Sequence, residues 1–342
     1  MKKIVLLLVT FTMAICLVGC SDNQTEQVER QVVMKVGSNT AATNESYEYV
    51  CEKMFVDLAS EYSNGSIVGE YYPAGQLGSS TELVEAVGLG TVQGTTGICY
   101  DIYSNVDPIC IISCMPYLFK SYEHFKAFLE TDNATINKVK DTMANESGIL
   151  VLGYVYRPAR VVITKGKEIY GPDDLNGVIY RSPEAAVNVK WCEAMGAIPV
   201  TITWSEVYTS LAQGAAQGAD NSITTIVDSN LQDIIDCCSE TNHQMLASCI
   251  SVNKAWFESL TEDQQNAIRR AADEVTAKSW DDFQNAVNNA WNKLEAAGVK
   301  CIRKEEIDVD EFVKRGEDIY KYFVENQFFT EEDYQVILDL EY

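Results

Sequence analysis

The stretch from Pro172 to Ser222 constrains this chain more than any other, because its punctuation marks out a strand–helix–strand–helix unit. Ile179-Tyr180-Arg181 reads as a short strand. Ser182 is expected to cap a helix, Pro183 suits the first helical position, and Glu184 would face the positive helix end. That helix should run to Met195 and stop at Gly196. A second strand, Ile198–Ile202, leads to Ser205, which is expected to cap a second helix ending at Gly214. Arg181 therefore falls where a strand gives way to a helix, the place where open α/β sheets hold their ligands. A planar guanidinium there suits a carboxylate, which it grips with two parallel hydrogen bonds. The same spacing equally allows a surface arginine paired with Glu184.

Residues 1–19 read as a secretory signal rather than as structure. Lys2 and Lys3 precede an almost continuous apolar run, Ile4–Val18, that is short for a membrane span. Leu17-Val18-Gly19-Cys20 resembles a bacterial lipobox, which makes Cys20 the expected lipidated N-terminus and 20–30 a polar tether. Removing residues 1–19 takes away two lysines and no acid, so the net charge moves from −24 to −26. With no basic patch, nucleic acid is excluded as an expected partner. So acidic a surface repels anions at long range, and an anion site must work through local, partly buried arginines. Of eleven cysteines, Cys16 leaves with the signal and Cys20 is lipidated. The remaining nine cannot all pair; their irregular spacing fits small buried hydrophobes, and neither His124 nor His243 completes a metal pattern. No metal or cofactor is expected.

The opening of the body alternates elements: strand Val32–Gly37, helix Tyr47–Tyr62, an Asn64-Gly65 turn, strand Ser66–Tyr72, and helix Ser80–Leu89. This order predicts a parallel sheet with crossover helices. It places Asn39 and the loop around Tyr100 at strand ends facing a cleft. Met115–Phe119 reads as an apolar strand end before a turn and a helix through Leu129. Ile149–Tyr156 is a strand followed by Arg157, Arg160 and Thr164, and Arg160 adds a second cation for an anion site or a paired strand arginine. Thr224–Ile235 reads as a helix. Thr261, with Gln264 three residues on, opens a helix of thirty-odd residues, about 50 Å long and enough to span two lobes. Val299–Ile302 and Asp310–Asn326 complete the chain as a strand and an amphipathic helix.

Several of these segments together resemble the TRAP-transporter solute-binding proteins. The carrying residues are Asp174-Leu175-Asn176-Gly177 through Arg181, Trp204-Ser205-Glu206-Val207-Tyr208, the Gly218–Ser222 turn, and Met115–Phe119 with Tyr122-Glu123-His124. The resemblance extends to Thr241-Asn242-His243 and to the Pro73–Gly78 loop. Ala219-Asp220-Asn221-Ser222 departs from the family's Q-E-N-P but keeps the asparagine. The resemblance implies an α/β, two-lobed, periplasmic-binding-protein-like fold with the long helix spanning both lobes. Lobe one would take 31–153 plus 243–280, and lobe two 154–242 plus 281–342. It implies capture of a small organic acid and delivery to TRAP membrane subunits, with the lipid on Cys20 as anchor outside the membrane and no enzymatic activity. Arg181 would meet the ligand carboxylate, Arg160 matches the family's second arginine, and Asn221 would hold the same carboxylate or orient Arg181, with Asn39 and Tyr100 as further contacts. Trp204 would wall the ligand body, and Glu184 would favour a hydroxyl or amine over a second acid group, or else only face water at its helix end. An extracytoplasmic sensor on the same scaffold, or a two-lobed secreted enzyme, stays open as an alternative.

Overall fold

The structure, a computed structural model, describes residues 31–342; the expected signal segment, Cys20 and the tether to residue 30 lie outside the described residues. The chain begins β1 (Val32–Gly37), α1 (Tyr47–Tyr62), β2 (Ile67–Tyr72), α2 (Ser80–Gly88), β3 (Gly94–Cys99), α3 (Tyr100–Tyr103), α4 (Tyr122–Glu130), α5 (Ala134–Glu146) and β4 (Ile149–Arg157). It continues β5 (Arg160–Thr164), β6 (Ile179–Ser182), α6 (Ala186–Ala194), β7 (Ile198–Thr201), α7 (Val207–Gln213), β8 (Gly218–Ser222), α8 (Ile223–Asp228) and β9 (Cys237–Ser239). It closes with β10 (Leu246–Asn253), α9 (Lys254–Glu258), α10 (Glu262–Ala296), β11 (Lys300–Ile302), α11 (Val309–Glu325) and α12 (Glu331–Leu338).

The strands form two sheets, ordered β2-β1-β3-β10-β4 and β11-β9-β5-β8-β6-β7. Taking each sheet with its covering helices as a lobe, the chain passes from the first to the second at Pro158-Ala159, where β4 ends and β5 begins. It returns between β9 and β10, at Thr241–Met245. β1, β2 and β3 are parallel while β10 runs antiparallel to β3 and β4, so the return crossing slots between strands laid down earlier. In the second sheet β5 is antiparallel to β8, which sets Arg160 opposite Ser222 and Val161 opposite Asn221.

α10 ties the lobes together. Thr261 and Gln264 make the expected capping box, so the helix starts where its sequence says. Its Ile268, Ala271, Ala272 and Val275 pack into the core beneath α1 and β4, and its Ala290, Trp291 and Leu294 into the core of the second sheet. Edge strand β4 is also capped by this helix: Tyr154 N–H donates to Thr276 Oγ1 (2.8 Å) and Tyr156 N–H to Ser279 Oγ (3.1 Å). The edge's outward amides are thereby satisfied within the chain.

Five local expectations are corrected. Ser205 does not cap α7, because it lies inside a 3-10 turn, Trp204–Glu206, and the helix begins at Val207. Ser182 does not cap a helix, because it continues β6 opposite Thr201 and its hydroxyl donates to Pro183 O; α6 begins only at Ala186, after Ala185. The helix Thr224–Ile235 stops at Asp228, since Asn230 turns into the left-handed region (φ 56°). Met115 follows a 3-10 turn, Pro108–Cys114, rather than a strand. The C-terminus does not stay with the second sheet. α11 packs on α6, but α12 returns to the first lobe, where Thr135 Oγ1 donates to Asp333 O and His124 Nε2 meets Ile337 O at 2.8 Å. All nine described cysteines are free thiols and eight are buried.

Candidate functional site

A cavity of about 570 Å³ opens where the two sheets face each other. From the first lobe it is lined by the loop after β1 (Asn39, Thr40), the start of α2 (Ser80) and the end of β3 into α3 (Cys99, Asp101). From the second it receives the ends of β6 and β8 and the segment before α7. Strand ends supply the polar groups because a strand aims its last side chains out of the sheet while its body stays packed.

Three arginines enter this cavity, all buried, and their partners separate them. Arg157, the last residue of β4, forms an ion pair with Glu48 (3.1 Å). Its Nη2 donates to Thr225 Oγ1 and Asn221 Oδ1, and its Nη1 to Ser248 Oγ. Arg160 Nη2 binds Asp101 Oδ2 at 2.8 Å and its Nη1 reaches Asp220 Oδ1 at 3.4 Å. Asp220 is held in turn by His243 Nε2 at 2.9 Å, and the His243 ring stacks on Trp191. Arg181 differs. Its Nε donates to Ile202 O at 2.8 Å and its guanidinium lies over the Trp204 ring, 5.3 Å from the centroid. Among the described residues it makes no ion pair, and its two terminal nitrogens take no hydrogen bond.

The electrostatics follow from those partners. Burial lowers the pKa of both Arg160 and Arg181, but Asp220 and Asp101 more than offset it for Arg160, whose pKa rises. For Arg181 burial outweighs the attraction of Asp220, Arg160 adds repulsion, and its pKa is lowered to about 10. Burial also lowers the pKa of His243, which favours the neutral ring as a fixed partner of Asp220. Arg181 is thus a dehydrated cation with no ion-pair partner among the described residues, lining a cavity.

The structure brings six of the seven expected contact residues to the cavity: Arg181, Arg160, Asn221, Trp204, Glu184 and Asn39. Asn221 accepts from its neighbour's N–H and from Arg157, which leaves its amide nitrogen without a partner among the described residues. Asn39 donates to Ser80 Oγ at 2.7 Å. Glu184 neither stabilises a helix end nor pairs with Arg181; its carboxylate accepts from Thr81 Oγ1 of the facing lobe at 2.9 Å. Tyr100 is a correction. Its ring is buried and its hydroxyl meets that of Tyr154 at 3.0 Å, so it belongs to the core. Asp101, next in sequence, is the residue that reaches the cavity. Arg157 and Asp101 were missed as site residues because Glu48 and Arg160, which fix them, lie far away in sequence. The position of Arg157 at a strand end before Pro158 was the available signal.

Residues 36–327 match the family described as bacterial extracellular solute-binding protein, family 7. The chain belongs to this family. Like its family, this solute-binding protein is of an extracytoplasmic class, and among its described residues no helix is long and apolar enough to cross a membrane. It is similar to a solute-binding protein of Roseobacter denitrificans, 26% identical over 253 residues, covering 74% of this chain and 75% of the relative. The fold is that of the TRAP periplasmic solute-binding protein of Polaromonas sp. JS666 solved with D-erythronate (TM-score 0.84, 21% identity, covering 91% of this chain and 100% of that one). It is equally that of a TRAP periplasmic protein of Roseobacter denitrificans solved with β-D-glucuronate (TM-score 0.85, 21% identity, with the same coverage).

Proposed function

We propose that this family 7 receptor captures a small monocarboxylate with a hydroxyl-bearing body between its lobes and delivers it to TRAP membrane subunits. The observation that carries the reading is Arg181, a buried guanidinium lining the cavity whose terminal nitrogens have no partner among the described residues. A ligand carboxylate completes it with two parallel hydrogen bonds, and the Asn221 amide donates beside it. Trp204 then forms a flat wall against the ligand body. Asn39, Thr40 and Ser80 supply hydrogen-bonding groups from the opposite lobe, Glu184 supplies one from the same lobe as Arg181, and a second acid group would meet the Glu184 carboxylate. Two structurally similar proteins were solved with D-erythronate and β-D-glucuronate, both monocarboxylates carrying several hydroxyls. Membership of a solute-binding family supports a receptor rather than an enzyme, and His243 serves there to hold Asp220 behind the cavity. The Leu17–Cys20 segment supports anchoring through a lipid on Cys20.

A thermal-shift panel of matched mono- and dicarboxylates tests the reading. Hydroxylated monocarboxylates are expected to raise the melting temperature most. A larger shift with the dicarboxylates contradicts the ligand class, and an unchanged ranking in Glu184→Gln removes Glu184 as a cause of it.

A further inference from the structure

We infer that Asp101 is a specificity-determining residue: it acts as a built-in counter-anion that withdraws Arg160 from the ligand and so restricts the cavity to one ligand carboxylate. The inference rests on the carboxylate reading of the site but goes beyond it, because it names what keeps a second cation from being used.

Asp101 and Arg160 come from different lobes. Asp101 stands at the start of α3, where β3 ends, and Arg160 opens β5 after the crossing. Their side chains meet at 2.8 Å with only 2% and 6% of their surfaces exposed, and both line the same cavity as Arg181. Asp101 is held in place by its own loop, since its Oδ1 accepts from Ile102 N–H at 2.9 Å while Oδ2 takes Arg160. A side chain fixed in that way presents a carboxylate to Arg160 as a bound acid would. Asp220 holds Arg160 from the other side at 3.4 Å. The guanidinium is therefore enclosed by two carboxylates of the chain. A dicarboxylate placing its first acid on Arg181 finds its second facing Asp101 instead of a free cation. Like charges in a dehydrated site repel strongly, so the dianion is rejected.

Asp101→Asn keeps the size of the side chain and removes its charge. With the carbonyl oxygen kept on Ile102 N–H, the amide NH2 takes the place of Oδ2, where its N–H groups face the guanidinium's own donors and no negative charge is left to hold it. Arg160 then gains an open side toward the cavity. The experiment compares binding by calorimetry of aldonate–aldarate pairs that differ only in oxidation of the terminal carbon: D-erythronate with meso-tartrate, and D-galactonate with galactarate. In Asp101→Asn the aldarate-to-aldonate affinity ratio is expected to rise at least tenfold over the wild type. The rise should vanish in the double variant Asp101→Asn/Arg160→Gln. A ratio within twofold of wild type in Asp101→Asn overturns the inference, as does a rise that persists without Arg160. Should Asp101→Asn fail to fold, Asp101→Ser makes the same comparison with the same two outcomes. Arg181→Ala in the otherwise wild-type protein separates the two levels. Retained aldonate binding there defeats the carboxylate reading, whereas its loss together with an unchanged ratio in Asp101→Asn defeats the role of Asp101 alone.

Discussion

Three buried arginines within one cavity show how far a residue's role depends on what surrounds it. Arg157 and Arg160 are neutralised by Glu48, Asp101 and Asp220, and they organise the cavity wall. Arg181 carries a charge that Asp220 and Asp101 offset only in part, since burial still lowers its pKa, and this has a stability cost. Replacing it by methionine is expected to raise the ligand-free stability by about 1–2 kcal/mol, read by urea denaturation at pH 7, while binding is lost. Asp228 gives a second residue-level prediction. Burial raises its pKa from 3.8 to about 6, so the folded state holds its proton more tightly than the unfolded chain does. Stability from this group is present below pH 4 and lost as pH rises through 6. Asp228→Asn should therefore stabilise the protein at pH 7.5, with the gain shrinking toward pH 4.5 in denaturation series at both values. Arg181 was legible from sequence because strand and helix signals flank it. Asp101 was not, since its meaning is set by Arg160, and the choice of Tyr100 missed by one residue: along the same turn Tyr100 enters the core and Asp101 the cleft.

Elements were legible where their signals are local. The α1 and α2 helices, the Asn64-Gly65 turn and the start of α10 follow from caps, turns and apolar spacing, and the structure contains them. Ser182 carries the same kind of signal and fails as a cap because sheet pairing with Thr201 extends β6 through it. The Thr330–Asp333 capping box before α12 was a local signal that could have placed the last helix. No sequence pattern says that this helix docks on α5 instead of on the lobe it follows. The contact between α10 and β4 makes a sharp test of element packing. A Cβ on Gly153 would stand 2.5 Å from Thr276 Oγ1 and 3.1 Å from Ala272 O. Gly153→Ala must push the helix off the strand edge and is expected to cost about 1–3 kcal/mol in chemical denaturation. A loss below 0.5 kcal/mol, roughly the scale of neutral surface changes, would show that the helix yields there.

At the scale of the whole molecule, polar bridges cross between the lobes around the cavity. Thr224 Oγ1 donates to Glu48 at 2.6 Å, Arg160 pairs with Asp101, and Thr81 donates to Glu184. Lobes joined by two strand crossings, one long helix and the α11–α12 connection can separate only by breaking these bridges, and a ligand that touches both sides favours the joined state. Small-angle scattering should therefore show a smaller radius of gyration when a binding carboxylate is added. An unchanged profile, with the ligand-free protein as open as the liganded one, would count against closure. The central claim is that Arg181 meets the carboxylate of the ligand, and titration calorimetry of wild type and Arg181→Ala with the same hydroxylated monocarboxylate tests it most directly. Removing one partner of a buried charge pair costs about 2–5 kcal/mol, so affinity should fall roughly 30- to 5000-fold. Arg181→Lys should fail too, because a point charge cannot replace the two-pronged donor. Binding by Arg181→Ala within about threefold of wild type, under 1 kcal/mol, would contradict the account.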